Sequence, residues 1–469
     1  MSARYDVAVV GSGPGGSAAA LTAARRGLRV CLIDRDAWGG VCLNVGCIPT
    51  KALLAVAHLI RRLQHAQQLG VTIRGYDLDY AAVLARNERI IATLRRGLTE
   101  VLRREQVQLI SGSAAFESPT RLVVTHEGSS QRIDAERVVL ATGGRPISGP
   151  WTFDERQILS YRGLLALTAV PKRLLIVGGG VIGCEFASCF SAFGTQVTIV
   201  EQQAQLLPGE DADAVRWLTR RLESYGVTLK TSATVQGLTT SSTGVNAILS
   251  DGTQCSAEYC LVAIGQRPNI DSLQLSAASV DAGTGVTVDA SLKTSQPHIA
   301  AIGDCLEHHG LAHWASAEGA MAVRNLLGDA RETLEPNDVP RCVYTDPEIA
   351  SIGLTSAEAG EGMVVSRLSF GALGKGYCDE ETGGFIKLLV EEATGRIRGA
   401  TIVGAEASNL IHHAVLAIHH GLTAKQLART VTAHPSWPES ITEAAAHVYG
   451  ESLVLASRTK DTPVARSRG

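Results

Sequence analysis

"YDVAVVGSGPGGSAAALTAARRGLRVCLID", residues 5–34, predicts the fold of this 469-residue chain. An apolar run, a glycine-rich turn, an alanine-rich segment and a second apolar run are typical of a strand–turn–helix–strand unit. Gly11, Gly13 and Gly16 form a GxGxxG pattern, in which glycine allows a tight turn and lets a diphosphate approach the helix N-terminus. Asp34 ends the second strand 23 residues after Gly11, where a carboxylate accepts hydrogen bonds from ribose hydroxyls. The stretch therefore predicts a dinucleotide site in a Rossmann-like domain.

The same pattern recurs in "RLLIVGGGVIGCEFASCFSAFGTQVTIVE", residues 173–201. Its GxGxxG glycines are Gly178, Gly180 and Gly183. Glu201 again lies 23 residues after the first glycine. One GxGxxG is also found in ordinary turns, but two copies, each with its own acidic residue, indicate two dinucleotide sites. Because Glu201 would repel a 2′-phosphate, and the eight residues after it contain no arginine, the second site favours NAD(H) over NADP(H).

Composition limits the class of protein. A chain of this length is too long for one core, so several domains are expected. The net charge of -3 and the sequence pI near 6.5 argue against a nucleic-acid or membrane partner. We find no apolar run long enough to span a bilayer and no signal peptide before the first strand, so we expect a cytoplasmic protein. Ten cysteines in such a chain favour a reducing compartment, where a disulfide is usually catalytic.

Two similar segments mark the limits of the second nucleotide-binding unit. "RVVLATGGRP" occupies residues 137–146 and "YCLVAIGQRP" occupies residues 259–268. We interpret them as crossovers, where the chain leaves the first domain, builds an inserted second domain and returns. From about residue 338 the pattern predicts hairpins followed by helices. Residues 458–469 have no periodicity, so a disordered tail is expected.

"GGVCLNVGCIPTK", residues 39–51, contains two cysteines, Cys42 and Cys47, separated by four residues. The same spacing recurs at Cys184/Cys189 and Cys255/Cys260. Spacing alone therefore leaves open a metal site, a structural disulfide and a redox pair, although residues 39–51 contain no His, Asp or Glu as further ligands. Two dinucleotide sites together with a cysteine pair suggest electron relay from nicotinamide through a flavin to a disulfide. We interpret the other four cysteines as buried packing residues.

The chain resembles the pyridine nucleotide–disulfide oxidoreductases over about residues 5–455, and within them the enzymes that oxidise dihydrolipoyl groups. The motifs that carry the resemblance are GGVCLNVGCIPTK, ATGGRP, GGGVIGCE, AIGDC, GLAHWASAEGA, YTDPEIASIGLT and HPSWPE. It implies an α/β fold with two Rossmann-like dinucleotide-binding domains and a C-terminal α+β dimerisation domain. The implied segments are 1–146 (FAD-binding, first part), 147–266 (inserted NAD-binding), 267–337 (FAD-binding and central, second part) and 338–457 (interface).

The resemblance also implies roles for individual residues. Cys42 and Cys47 would form the redox-active disulfide, with Cys47 against the flavin and Cys42 exchanging with the substrate dithiol. Lys51 would lie beside the flavin, oriented by a glutamate. His434 would act as the base on the cysteines of a partner subunit, oriented by a second glutamate. These glutamates are Glu185 for Lys51 and Glu439 for His434.

Other residues resemble cofactor contacts. Asp304 is expected to bind the flavin ribityl chain, and the loop and helix start at residues 310–313 to line the flavin ring. Gly265 is expected near the NAD. The remaining expected flavin contacts are Thr142, Gly143, Leu311, Ala312 and His313. No metal site is expected, and we interpret the histidines of residues 412–420 as ordinary helix residues.

The expected activity is oxidation of protein-bound dihydrolipoyl groups with reduction of NAD⁺. The expected partners are a second copy of the chain, in a homodimer that shares its active sites, and a lipoyl-bearing carrier of a 2-oxo acid dehydrogenase or glycine cleavage complex. Thr432, Trp437 and Pro438 depart from the usual base motif. Two alternatives stay open: a flavin disulfide reductase with another disulfide substrate, and a flavoprotein scaffold with incidental diaphorase activity.

Overall fold

The computed structural model describes residues 3–307, 310–329 and 332–456. The tail predicted at residues 458–469 lies outside the described residues. The chain divides into two compact units. The first takes in described residues of Met1–Leu53, Asp79–Ala169 and Tyr259–Leu334, and the second those of Leu54–Leu78, Val170–Glu258 and Glu335–Gly469. The four predicted domain segments stay a prediction.

Helices and strands alternate along much of the chain, as the sequence pattern predicts. The described α-helices are α1 (Pro14–Ala24), α2 (Gly40–Val45), α3 (Cys47–His65), α4 (Tyr80–Arg104), α5 (Tyr161–Leu165), α6 (Val181–Ala192), α7 (Ala212–Ser224), α8 (Ala312–Leu327), α9 (Gly374–Cys378), α10 (Ala407–His419), α11 (Ala424–Ala428) and α12 (Glu439–His447). The described strands are β1 (Ala3–Val10), β2 (Val30–Asp34), β3 (Gln108–Ser111), β4 (Ser113–Ser118), β5 (Arg121–His126), β6 (Ser129–Leu140), β7 (Gly144–Pro146), β8 (Ile158–Leu159), β9 (Arg173–Val177), β10 (Gln196–Val200), β11 (Thr228–Lys230), β12 (Val235–Ser241), β13 (Gly244–Leu249), β14 (Gln254–Ala257), β15 (Tyr259–Val262), β16 (Gln266–Pro268), β17 (Ile299–Ala301), β18 (Arg341–Val343), β19 (Ile349–Gly353), β20 (Met363–Ser369), β21 (Phe385–Glu391) and β22 (Ile397–Val403).

The first unit is built on a sheet with a parallel centre. β1 lies between β2 and β6 and is parallel to both, β3 pairs with β2, and β17 pairs with β6. β4 and β5 continue from β6 as an antiparallel meander. Val9, Leu32 and Val139 on the central strands are fully buried, as expected for a sheet covered on both faces. Because the carboxyl ends of parallel strands meet at one edge, Gly11 after β1 and Asp34 in β2 lie at that edge.

α1 begins at Pro14, three residues before the predicted start at Ser17. Proline is favoured at the first helical position because its missing N–H has no helical partner there and its φ is already helical. α8 packs directly on α1, since a Cβ at Gly319 would overlap the Gly15 carbonyl oxygen. The small residues of α1 therefore allow close helix–helix approach behind the nucleotide-binding edge.

The second unit contains a parallel three-strand group and two antiparallel sheets. β10 pairs in parallel with β9 and β11, repeating the order of β1 to β3. β12, β13 and β14 form one antiparallel sheet, and β18-β19-β22-β21-β20 form the other. In the second of these, β21 and β22 form the hairpin predicted in the C-terminal region. Its apolar face packs on α10 and α12 through residues such as Ile386, Ile402 and Ile411, all fully buried.

The two similar segments, residues 137–146 and 259–268, pair with each other in the first unit. β7 pairs antiparallel with β16, and Arg145 is opposite Arg267 in the register. Gly265 then accepts a hydrogen bond from the Ile147 N–H at 3.0 Å. The two segments that resemble each other in sequence are therefore neighbours in the structure.

The cysteine-containing segment forms two helices. α3 begins at Cys47, a full turn before the predicted start at Lys51, and Gly46 separates it from α2. Pro49 is tolerated in this first turn because helical N–H groups there have no intrahelical partner. Of the four cysteines interpreted as packing residues, Cys184, Cys189 and Cys260 are fully buried. The interpretation is wrong for the fourth, Cys255, which is only half-buried because it lies on β14 of the small antiparallel sheet.

One stretch, Gly40–Leu69, is long and apolar enough by length and composition to cross a membrane. The expectation that the chain has no apolar run of this length is therefore wrong. The stretch is weak evidence for a span because core helices of soluble proteins meet the same criterion. It is also divided at Gly46, between α2 and α3.

Candidate active site

The first glycine loop has the geometry that its sequence predicts. Gly11 has φ of +103° and lies so close to the next strand that a Cβ would overlap the Ala141 carbonyl oxygen. A Cβ at Gly16 would overlap the Gly11 carbonyl oxygen. Both positions therefore require glycine. Gly11 requires it for its backbone conformation, and Gly16 requires it for close packing of the helix against the strand.

The Asp34 carboxylate is joined to this loop through Ser12. Asp34 Oδ2 accepts hydrogen bonds from the Ser12 N–H and from Ser12 Oγ, both at 2.6 Å. Ser12 Oγ in turn accepts from the Gly39 N–H at 3.0 Å. Ser12 was not among the predicted site residues, although its position between Gly11 and Gly13 of the motif could have indicated it. This serine links the nucleotide loop to the segment that leads into Cys42.

The second glycine loop repeats this arrangement in the second unit. Gly178 has φ of +108°, and a Cβ at Gly183 would overlap the Gly178 carbonyl oxygen. Glu201 Oε2 accepts from the Gly179 N–H at 2.6 Å, as Asp34 accepts from the residue after Gly11. Glu201 is only 6% exposed. Its second carboxylate oxygen accepts from the Gln203 N–H at 2.7 Å, so hydrogen bonds to the backbone fix both oxygens of the carboxylate. The predicted role of Glu201 in selecting NAD(H) stays a prediction.

The described residues are suited to two dinucleotides. α1 and α6 begin after Gly13 and Gly180, and neither helix has a side-chain cap. Their first N–H groups and the positive end of each helix dipole thus favour a diphosphate. Beside the first loop, Thr142 Oγ1 is buried with no hydrogen-bond partner among the described residues, which suits a cofactor contact. These residues would hold FAD in the first unit and NAD in the second.

The other expected flavin contacts lie in the same unit. Asp304 belongs to a short 3₁₀ helix, Gly303–Cys305, which is fixed to α8 because the Gly303 N–H donates to buried Glu318 at 2.6 Å. A Cβ at Gly310 would lie 3.4 Å from Asp304 Oδ2, so this loop borders the carboxylate. Leu311 directly precedes α8, and Ala312 and His313 are the first two residues of this helix. Gly143, with φ of +71°, accepts a hydrogen bond from the Asn269 N–H at 2.9 Å. Gly265 also lies in this unit, and its predicted contact with NAD stays a prediction.

The structure brings Cys42 and Cys47 together as two thiols. The hydrogen bond between their side chains is the main cause that raises the pKa of Cys42, and burial raises it further. The charge of Lys51 opposes this shift. Lys51 follows Cys47 by one helical turn, so both side chains lie on the same side of α3. The contact with Cys47 and burial therefore both favour the protonated form of the Cys42 thiol.

Glu185, the predicted partner of Lys51, is buried in α6. Its Oε1 accepts a hydrogen bond from the Tyr344 N–H at 3.0 Å. Lys51 belongs to the first unit and Glu185 to the second. The pairing of the two side chains stays a prediction.

The predicted base and its orienting carboxylate are in direct contact. His434 Nδ1 lies 2.8 Å from Glu439 Oε1, and Glu439 Oε2 accepts from the Ser436 N–H at 2.7 Å. When Nδ1–H donates to the carboxylate, Nε2 is left to accept a proton. The His434 side chain is 76% exposed, so this nitrogen is accessible to a second molecule.

The unusual residues of the base motif have structural positions. Trp437 is buried, and its ring centre lies 5.0 Å from that of Phe370. Pro438 precedes α12, whose first residue is Glu439. The tryptophan therefore packs the loop that carries the base into the C-terminal core, through a 3₁₀ turn that begins at Phe370, directly after β20. Among the described residues, no group of three or more His, Cys, Asp or Glu side chains could hold a metal ion.

Comparisons with known proteins agree with this arrangement. Residues 5–319 match the family described as pyridine nucleotide-disulphide oxidoreductase, and residues 339–445 match its dimerisation domain. The chain is 36% identical to a dihydrolipoyl dehydrogenase of Bacillus subtilis over 93% of its own length and 97% of the relative's. It is 38% identical to one of Chlorobaculum tepidum, over 95% and 97% of the two chains.

Solved structures show the same fold. The crystal structure of LpdA from Mycobacterium tuberculosis has a TM-score of 0.89 and 31% identity, and the alignment covers 94% of this chain and 99% of that one. RclA from Escherichia coli, a flavoprotein disulfide reductase induced by HOCl, has a TM-score of 0.85 and 27% identity, with the same coverage of both chains.

These matches confirm the predicted α/β fold, an oxidoreductase with FAD and NAD as cofactors, and a C-terminal dimerisation domain that supports a homodimer. The relatives also support the expected action on dihydrolipoyl groups. The chain belongs to the pyridine nucleotide–disulphide oxidoreductase family.

Proposed function

We propose that this chain is a dihydrolipoyl dehydrogenase, which oxidises protein-bound dihydrolipoyl groups to lipoyl groups and reduces NAD⁺. One observation carries the proposal: the hydrogen-bonded Cys42–Cys47 pair lies in a segment joined to the first nucleotide loop. Besides the Ser12–Gly39 hydrogen bond, a Cβ at Gly40 would lie 2.7 Å from Gly13 Cα. A thiol pair in a segment joined to a dinucleotide loop suits electron transfer between a dithiol and a bound dinucleotide cofactor.

FAD would be held by the first glycine loop, Asp34, Thr142 and Asp304. When bound, it would accept electrons from the thiols and pass them to the nicotinamide as a hydride. The role of the protein is to hold the thiols beside this cofactor and to control their protons.

The exchange begins on the oxidised cysteine pair. A substrate thiolate attacks Cys42 Sγ, the Sγ–Sγ bond breaks, and Cys47 leaves as a thiolate, which the Lys51 charge stabilises. The second substrate thiol then attacks the sulfur of the substrate in the mixed disulfide. The lipoyl disulfide forms, Cys42 leaves and takes a proton, and two electrons have passed to the cysteine pair. The raised pKa of Cys42 favours this protonated form.

His434 is proposed as the base that deprotonates the substrate thiol. Glu439 at 2.8 Å holds the ring with Nε2 outward, and the imidazole is accessible on the surface of the chain. Because the dimerisation domain contains both residues, we propose that this base acts at the cysteine pair of the partner subunit.

The finer features of the function are also proposals. Glu201 selects NAD(H), and the natural substrate is the lipoyl arm of a carrier protein in a 2-oxo acid dehydrogenase or glycine cleavage complex. A cytoplasmic location stays a prediction.

The proposed function is tested with the purified protein, supplied with FAD, by following NADH oxidation with lipoamide, with glutathione disulfide and without an acceptor. Turnover that depends on lipoamide, and that is lost when NADPH replaces NADH, supports the proposal. Turnover with glutathione disulfide but not with lipoamide would assign the protein to another disulfide reductase. NADH oxidation of equal rate in all three mixtures would indicate only diaphorase activity.

A further inference from the structure

α4 lies along the two helices that carry the cysteine pair and donates side-chain hydrogen bonds to both. Arg95 donates from Nε and from Nη2 to Asn44 Oδ1 in α2, at 2.9 and 2.6 Å. About two turns earlier in α4, buried Asn87 donates to the Pro49 carbonyl oxygen of α3 at 3.2 Å. Arg86 donates to the Ala52 carbonyl oxygen at 3.2 Å. One helix of the first unit is thus hydrogen-bonded both to α2, which contains Cys42, and to α3, which begins at Cys47.

Asn44, the residue that Arg95 contacts, is also hydrogen-bonded to the backbone at the start of α2. Its Nδ2 group lies within hydrogen-bond distance of three carbonyl oxygens, those of Ala37, Trp38 and Gly40, at 3.2, 3.0 and 2.8 Å. Asn44 therefore joins the start of α2 to its end. With Oδ1 occupied twice by Arg95, both polar groups of the amide are in use, and its orientation is fixed.

We infer that Arg95 is a positioning residue for the Cys42–Cys47 pair, and that it acts through Asn44. This deepens the proposed function, since it concerns the same cysteine pair. Arg95 does not take part in the thiol–disulfide exchange itself. It fixes the position of α2, and therefore of Cys42, relative to Cys47 at the start of α3.

The physical reason lies in the geometry of a disulfide. The bond forms without strain only over a narrow range of Cα and Cβ separations. α2 has only six residues, too few for a stable helix without tertiary contacts. If the Arg95–Asn44 contact is lost, α2 samples more positions, the effective concentration of Cys42 at Cys47 falls, and the disulfide becomes less favoured relative to the dithiol.

The chain offers a matched control one residue away. Arg96 is on the same helix and exposed, and its one side-chain hydrogen bond given by the structure is to Thr93 Oγ1 within α4, at 3.5 Å. Arg95→Met and Arg96→Met each remove one positive charge and the same hydrogen-bonding group from α4. Only the first removes the contact with Asn44, so a difference between them isolates that contact from a general effect of charge.

The test equilibrates each holoenzyme with mixtures of reduced glutathione and glutathione disulfide without oxygen, then traps the thiols by alkylation and counts them by mass spectrometry. In this reaction the enzyme dithiol gives up two electrons and two protons to form one S–S bond, and glutathione disulfide is cleaved to two glutathione molecules. For Arg95→Met we expect the constant for enzyme disulfide formation to fall by about tenfold, or about 30 mV. For Arg96→Met we expect a change of about twofold at most.

Equal equilibrium constants for the two variants would overturn the inference. The path through Asn44 is tested by Asn44→Ala alone and combined with Arg95→Met, because the double variant should shift the constant no further than the larger single change. Additive shifts would also overturn it. If Arg95→Met does not fold, as shown by circular dichroism, Arg95→Lys and Arg96→Lys replace the pair, with a smaller loss expected for the first only.

Because this assay contains neither lipoamide nor nicotinamide, its result is independent of the substrate assignment. If the wild type did not turn over lipoamide, the proposed function would be refuted. The equilibrium constants of the Arg95 and Arg96 variants would still test the inference about Arg95.

Discussion

The hydroxyl of Ser12 accepts a hydrogen bond from the Gly39 N–H at 3.0 Å and donates one to Asp34 at 2.6 Å. These two bonds connect the end of β2, the nucleotide loop and the entry to α2 in one network. A residue that no motif singled out therefore links nucleotide binding to the position of Cys42.

Removing this hydroxyl should weaken both parts of the network. In Ser12→Ala the buried Gly39 N–H loses its acceptor, which costs about 1–3 kcal/mol of unfolding free energy. We expect a lower denaturant midpoint and faster release of FAD, measured by the fluorescence of the freed flavin. Ser224→Ala is the control, because the one hydrogen bond of Ser224 Oγ within the described part of the chain goes to the Arg221 carbonyl oxygen at the exposed end of α7. Equal midpoints and FAD release rates for both variants would contradict the role of Ser12.

Alkylation of Cys42 should depend on whether Cys47 is present. The hydrogen bond to Cys47 is the largest cause of the raised pKa of Cys42, with burial second. In Cys47→Ser this thiol neighbour is lost, so the pKa of Cys42 should fall and more thiolate should be present at any pH below it. We expect the pH profile of Cys42 alkylation by iodoacetamide to shift to lower pH than in the reduced wild type. The profile is read by mass spectrometry of the 36–51 peptide, and an unchanged or higher midpoint would refute the hydrogen-bond assignment.

The His434–Glu439 pair should matter for turnover and little for stability. His434→Gln removes the proposed base, so we expect turnover with lipoamide to fall by about 10²–10⁴-fold. Because the imidazole is largely exposed, the unfolding midpoint should stay close to that of the wild type. His412→Gln, on an exposed face of α10, is the control for loss of a histidine. Full activity of His434→Gln would remove this residue from the mechanism.

Glu201 should control the choice between the two nicotinamide cofactors. Glu201→Gln keeps the shape of the side chain but removes the charge that repels a 2′-phosphate, so the ratio of NADPH to NADH activity (kcat/KM) should rise about tenfold, a change of about 1.4 kcal/mol. Glu223→Gln, exposed on α7, is the matched control. A ratio that is the same in both variants and the wild type would show that selectivity arises elsewhere.

Local spacing predicted much of this site. The glycines of both loops and the acids 23 residues later follow from the length of one strand–helix–strand unit, and the structure places them as a repeat, with Asp34 and Glu201 in equivalent hydrogen bonds. The His434–Glu439 contact spans five residues, and it was predicted from the family resemblance of the motif that contains both residues.

Contacts between distant segments could not be predicted. Arg95 and Asn44 are 51 residues apart, and nothing in either sequence stretch indicates that α4 packs against α2. The helix start at Cys47 was missed because Pro49 and Gly46 are usual signs of a break, whereas a proline in a first helical turn costs little. Cys255 was misjudged because an apolar residue in a short three-strand sheet has one face toward solvent.

The most direct test of the account is the rate of NAD⁺ reduction by dihydrolipoamide, measured by absorbance at neutral pH for the wild type and for Cys47→Ser with the same FAD content. The account predicts rapid NADH formation by the wild type and none above background by the variant, because no disulfide can form at Cys42. Comparable rates in the two proteins would show that electrons reach the nicotinamide without the cysteine pair, and the proposed mechanism would be wrong.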